Sequence, residues 1–417
     1  MKIRILMATA TAAGVLLTAS AAMANDSNQA YTKQDGDNNI LVIQQGAGTG
    51  NNRVGTTAAP ILQDGDNNSF KELQATGGGA AAMGSNVIDA GLQEGNGNSF
   101  ASQYSQNNSG FNTISNVLQQ GNNNVASVGR NAGYNGSVGN LKQIGSSNFL
   151  TIGQTGNGNS VVDALQIGSN NGASTVNQHN WGTYISQSGT TNKITLSKIE
   201  GSNNNGSIFG SAGPVHKIIQ SGTDNGQDAS IASTLGSNGN WLHVSQTGTA
   251  NNFDLRQGVT TASTGNRITL VQNGTDNMTT ATQYGDYNRL NASQTGVGGH
   301  TITALVTGSN NGSGVFANAG ASGLATANGL TSGDIFQDGS NHTVTLNINS
   351  SSNNQFGFLQ TDGTGNTITA TISGTGGNQA VGVQKGSSNT ATLTQAGGSN
   401  VATFNQVGGS NTTTITQ

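Results

Sequence analysis

No cysteine occurs in this chain, which rules out a disulfide framework and a thiolate metal site. Charge is scarce too: 8% of residues are charged, the formal net charge is −4, and no basic cluster is present. Nucleic acid and anionic membrane surfaces are therefore excluded as partners. No apolar run reaches the length of a membrane span. With 32% hydrophobic and 5% aromatic residues in 417, an ordinary globular core cannot be filled. Two prolines and so few charges also argue against a disordered chain, which is usually rich in both.

Glycine is abundant instead, with 64 residues, alongside many Asn, Gln, Ser and Thr. That mixture at low charge is the profile of segments that stack as β-structure. The first 24 residues stand apart. Lys2 and Arg4 precede the apolar run Ile5–Leu17, and Ala22-Met23-Ala24 is a small-x-small cleavage signal. A signal peptide over 1–24 and a mature chain starting at Asn25 are expected. Removal would leave 12 basic against 18 acidic side chains, a net charge of −6.

The rest is a repeat, Asn-x-Φ-x-Φ-x-Gln-x-Gly-x-x, where Φ is usually aliphatic, Ala or Phe. Clean copies open on Asn148, Asn240, Asn251, Asn266, Asn277 and Asn288 and close on Gln154, Gln246, Gln257, Gln272, Gln283 and Gln294. Three more end the chain: Asn389 to Gln395, Asn400 to Gln406 and Asn411 to Gln417. Near the start, Asn39-Leu41-Ile43-Gln45 fits as well. The named residues are two apart, so in a strand they share one face while Thr, Ser and charged residues take the other. Period 2 does not make a helical stripe, so the repeat is β.

Between strands, Gly supplies the positive φ that a tight reversal needs. The expected turn glycines are Gly36, Gly65, Gly95, Gly156, Gly248, Gly274, Gly285, Gly296, Gly386, Gly397 and Gly408. Two strands and two turns take about 22 residues and form one rung of an all-β solenoid whose rungs pair in parallel and in register. Stacked at about 4.8 Å, inward Gln and Asn would form ladders in which each amide donates to one neighbour and accepts from the other. That satisfies groups which are costly to bury alone. About 17 rungs, roughly 80 Å of stack, are expected in one array over 34–417, with 25–33 a short leading segment. The repeat lapses at 46–62, 75–91, 104–118, 129–141, 205–218 and 312–334, which are expected to be bulged arcs or exposed loops. Ile199, Val306 and Ile372 stand at the Gln phase.

This unit resembles the curlin repeat of the secreted subunits of bacterial curli fibres. Gln93-Glu94-Gly95-Asn96-Gly97-Asn98 and Gln154-Thr155-Gly156-Asn157-Gly158-Asn159 carry its Gln-x-Gly-x-Gly-Asn stretch in full. The resemblance covers most of the chain from Gln34 on, with about three times as many repeats as the major subunit of that family carries. It lacks the targeting segment of about 20 residues that those subunits place before the first repeat. It implies a secreted structural subunit that reaches the surface through the periplasm and assembles end to end into extracellular amyloid fibres. These serve adhesion and the biofilm matrix. The partners it implies are copies of the chain itself, a nucleating homologue, an outer-membrane curli export pore and periplasmic chaperones, with no membrane insertion.

The array is expected to stay open at both ends, because Asn411–Gln417 is a complete strand with no capping element. The alternative is a monomeric secreted solenoid that binds calcium or ice. Asp35, Asp37, Asp64 and Asp66 gather oxygen ligands at turns. Outward Thr-x-Thr pairs such as Thr343/Thr345 and Thr390/Thr392 recur. No catalytic constellation and no cofactor is expected. The five histidines (179, 216, 243, 300 and 342) are read as exposed arc residues, and the charged turn residues either as gatekeepers against premature aggregation or as ordinary solvated turn positions.

Overall fold

A computed structural model describes residues 5–6, 14–19, 29–45, 53–74, 86–104, 112–131, 137–155, 160–178, 183–199, 216–226, 230–233, 240–258 and 263–417. The chain forms two compact units, residues 1–199 and 200–417. Each is a parallel β-solenoid built from two facing sheets. Along the chain, strands alternate between the sheets, except that the short strands Arg53–Val54 and Ile61–Asp64 follow one another in the same sheet.

In the first unit, one sheet runs through Asn86–Glu94, Asn112–Gln120, Ser137–Ser146, Ser160–Ser169 and Thr183–Thr190. The facing sheet runs through Ile40–Gln45, Ser69–Gln74, Ser99–Tyr104, Val125–Asn131, Phe149–Thr155 and Gly172–Gln178. In the second unit, Trp241–Thr249, Arg267–Thr275, Arg289–Gly298, Asp334–Ser340, Gln355–Thr361, Gln379–Lys385 and Val401–Val407 stack in one sheet. Opposite them stack Asn252–Gln257, Met278–Tyr284, Thr301–Thr307, Thr343–Asn349, Thr367–Gly376, Thr390–Gly398 and Thr412–Thr416.

Alternation decides what is inside. In Arg267–Thr275, Ile268, Leu270 and Gln272 are buried while Arg267 and Thr269 face outward. The seam is thin, with Phe70 and Phe100 packed in a tilted pair at 4.7 Å between ring centres and Phe253, Leu255 and Ile268 fully buried. Gly382 lies in register between Phe358 and Phe404, and its missing side chain leaves room for the Phe404 ring.

The rungs are fewer than the 17 expected, because most described rungs take more chain than the expected length of about 22 residues. Successive inward Gln residues are 29, 30, 26, 24, 23 and 21 positions apart in the first unit. In the second they are 26, 26, 22, 43, 23, 24 and 22 apart. The expected lapses also need correction. Strands Ile61–Asp64, Asn86–Glu94, Asn112–Gln120, Ser137–Ser146 and His216–Thr223 begin inside them. In three of these the burial is one residue out of phase with strict alternation. Ile114 and Val117 are both inward, with Ser115 and Asn116 between them, and Val138 and Leu141 repeat this one rung on. The extra residue is a bulge that stacks on itself from rung to rung, which hides the strand from a period-2 reading.

The 43-residue step holds the one helix among the described residues, Ala319–Ala327, capped by Asn318, whose side chain accepts from the N–H groups of Gly320 and Ala321. This insert is not a loop. Phe316, Ala321, Ala325 and Leu330 pack on the outward side of Val381 and Val383, and Gly357 leaves space beneath Phe316 and Leu330. Strand Gln379–Lys385 is consequently buried on both faces. No helix among the described residues is long and apolar enough to cross a membrane.

Candidate functional site

The inward polar residues form continuous columns. In the first unit, Gln34 donates through Nε2 to Oε1 of Gln63 at 2.6 Å, and the same bond joins Gln63, Gln93, Gln119, Gln143, Gln166 and Gln187 in turn, each at 2.7–2.8 Å. In the second unit the column runs Gln220, Gln246, Gln272, Gln294, Gln337, Gln360, Gln384 and Gln406 at 2.7–3.0 Å. Every bond points toward the later rung, so the column has a direction. In most of these amides the remaining N–H ties the sheets together: Gln272 donates to the carbonyl of Asn252 and Gln294 to that of Met278.

The asparagines run along the corners. Oδ1 of each accepts the backbone N–H of its counterpart one rung on, as in Asn148 to Asn171 at 3.1 Å, Asn240 to Asn266 at 2.9 Å and Asn266 to Asn288 at 2.8 Å. Nδ2 bonds a turn carbonyl, for example Asn288 to Gly308 and Asn389 to Gly408, both at 2.8 Å. The residue before a ladder Asn takes a left-handed conformation, as at Asn67, Asp276, Ser388 and Ser410, which aims the following N–H along the stack. The turn glycines Gly36, Gly65, Gly95, Gly248, Gly274, Gly285, Gly296, Gly386, Gly397 and Gly408 all have positive φ. Gly386 is constrained twice over: φ is +101°, and a Cβ would overlap the Gly408 carbonyl of the next rung.

Asn148, Asn240, Gln246, Asn251, Asn266, Gln272, Asn277, Gln283, Asn288, Gln294, Asn389 and Gln395 are fully buried in these columns, and Gln257 and Gln406 nearly so. Asn400 is half-buried, while Asn411 and Gln417 are exposed on the last rung. There Asn411 still donates to Oδ1 of Asn389 at 2.8 Å, and Gln417 accepts from Gln395 at 3.1 Å. Gly156 and the side chains of Gln45, Gln154 and Ile199 lie outside the described residues.

Sequence reasoning missed several members. Asn311, Asn354, Asn366 and Asn378 are buried ladder asparagines; Asn354 and Asn378 each stand six residues before a ladder Gln, Gln360 and Gln384. Val306 and Ile372, expected at the Gln phase, are joined there by Ile348 on the rung between them, an apolar stretch of the facing sheet flanked by Gln283 and Gln395. Glu72 is buried at an inward position, in register with Ile43 and Ser102. The reading of the histidines as exposed arc residues is wrong for two of them. His300 and His342 are fully buried and occupy the asparagine phase of consecutive rungs, with rings stacked at 5.1 Å. Burial pushes both imidazoles below the ordinary range, His342 to about 4. The clue was available, because His300-Ile302-Ala304-Val306 and His342-Val344-Leu346-Ile348 keep the two-residue spacing. His243 is half-buried on the outer face beside Trp241, over whose ring Arg267 stacks at 4.2 Å. The His216 side chain and all of residue 179 lie outside the described residues.

At the turns, Asp66 offers Oδ1 to the backbone N–H of Asp37 at 2.8 Å, the role Asn96 plays for Asp66 one rung on. The Asp66 carboxylate thus acts as a turn cap. Among the described residues, no three His, Cys, Asp or Glu side chains come together as a metal cage.

The arrangement defines a parallel β-solenoid whose interior is held by repeating amide hydrogen bonds. Residues 386–417 match the family model of the curlin associated repeat, so this last stretch of the solenoid is similar to a curlin repeat. No curated protein matches the chain. The bonds inside the matched segment, such as Asn389 with Asn411, recur upstream from Gln34 onward.

Proposed function

We propose that this protein is a structural, non-catalytic subunit of an extracellular curli-like fibre that supports adhesion and biofilm cohesion. Export follows signal-peptide removal after residue 24, and copies add end to end. Its partners are further copies, a nucleating homologue, an outer-membrane export pore and periplasmic chaperones. One observation carries this reading: each rung makes the same buried amide bonds to the next, as from Gln360 to Gln384 to Gln406. A rung from a second copy can make those same bonds, because the donors and acceptors repeat at the strand spacing. The absence of cysteine suits passage as an unfolded chain.

The test is fibre growth by residues 25–417, followed by thioflavin fluorescence and electron microscopy. Gln395→Leu with Gln406→Leu is expected to slow elongation more than Thr392→Leu with Thr403→Leu, whose side chains face outward. Equal rates, or a size-stable monomer after long quiescent incubation, would overturn the proposal.

A further inference from the structure

Every other described member of the corner columns is an amide or hydroxyl, which does not titrate, so the histidine pair is chemically distinct. His300 takes the place of an asparagine atom by atom. Its backbone N–H donates to Oδ1 of Asn277 at 3.1 Å, and its Nδ1 accepts the backbone N–H of His342 at 3.3 Å. Nδ1 of His342 in turn accepts the backbone N–H of Asn366 at 3.2 Å. The opposite ring nitrogens meet carbonyls, Nε2 of His300 on Thr295 at 2.7 Å and Nε2 of His342 on Asp338 at 3.1 Å. Both rings therefore fit only the neutral tautomer with hydrogen on Nε2. Nδ1 does the work of an asparagine Oδ1, and Nε2–H that of Nδ2–H.

We propose that His300 and His342 form an acid-sensitive seam in the solenoid: protonation of either ring breaks the corner column and opens the two rungs that carry them. A proton on Nδ1 would point at the backbone N–H it now accepts from, setting donor against donor in a buried site. The surroundings give little compensation. Strands Met278–Tyr284, Thr301–Thr307, Thr343–Asn349 and Thr367–Gly376 carry no Lys, Arg, Asp or Glu, and Tyr284 lies at the far end of its strand. Strand Arg289–Gly298 brings Arg289 only at its opposite end, tied to Asp334 at 3.8 Å. The carboxylates at this corner are Asp338, which favours the charged rings, and Asp276 and Asp362 in the turns of the neighbouring rungs. Burial outweighs Asp338, and each charged ring would repel the other across the stack.

The sign follows from linkage. The opened rung binds a proton near pH 6.5, whereas closed His342 does so only at about 4. Opening is thus unaffected above 6.5 and is favoured about tenfold per pH unit for each proton taken up as pH falls through that window. This holds for a single folded chain, whether or not copies assemble.

Amide hydrogen exchange of the full chain at pH 7.5 and pH 4.5, corrected for intrinsic rates, tests it. Strands 301–307 and 343–349 are expected to lose protection at least tenfold at pH 4.5 relative to 267–275 and 390–398. The double variant His300→Asn, His342→Asn restores an amide column and is expected to abolish that difference. Retained protection in the unmutated chain, or equal loss in the double variant, overturns the proposal. If the variant does not fold, imidazole C2–H exchange in the unmutated chain decides: midpoints below 6.5 for both rings are expected, and ordinary midpoints overturn it.

Discussion

Restoring the repeat consensus at one position is expected to weaken this protein. Ile348 is fully buried at the Gln phase, in register with Val306 on one side and Ile372 on the other. In Ile348→Gln, one N–H could meet a main-chain carbonyl, as Gln283 does with Arg267 at 3.3 Å. The other N–H and Oε1 would face aliphatic side chains. Two unsatisfied buried groups at ~1–3 kcal/mol each, with some loss of apolar burial, give a cost of about 3–5 kcal/mol. The rung should then open about a hundredfold more often or worse. Because repeat arrays need not unfold in one step, the assay is hydrogen exchange localised to 343–349. The triple change Val306→Gln, Ile348→Gln, Ile372→Gln would join Gln283 to Gln395 in one column and give Oε1 of Gln395, buried without a partner, a donor. Its cost should fall below the sum of the three single changes by about 3 kcal/mol or more. If Ile348→Gln is neutral, or if the three changes simply add, the ladder argument is refuted.

Gly386→Ala should cost more than about 3 kcal/mol, since it adds strain at φ +101° to overlap with the Gly408 carbonyl. Gly397→Ala, with a similar φ of +103° but nothing nearer than Asn400 Nδ2 at 3.8 Å, should cost about 1 kcal/mol; thermal unfolding of both variants checks the ranking. Phe316→Ala empties the contact over Gly357 and should cost about 3 kcal/mol locally. Exchange should rise at Val381 and Val383 while strand 267–275 stays protected.

Much of the fold was legible because a strand's side-chain period is fixed by the backbone. Asn240-Leu242-Val244-Gln246 can place all four residues on one face only as a strand. Where a bulge adds a residue, as at Ser115 before Val117, the period fails while the strand persists. The helix in the long insert carries Gly320 and Gly323 within AGASGLATA and has weak intrinsic propensity. Packing on Val381 and Val383 holds it, and those partners lie some 60 residues away.

The sequence by itself determined the strand, the turn and the inward set, because alternation and glycine placement are local properties of the backbone. Tertiary stacking alone decided which residue sits over which. It brought His300 onto His342 across 42 positions, gave Ile348 only Val306 and Ile372 as neighbours in its column, and turned a run of small residues into a helix over a sheet. A buried polar group is stable or costly according to its partner on the next rung, and the partner's distance along the chain varies from 21 to 43 residues.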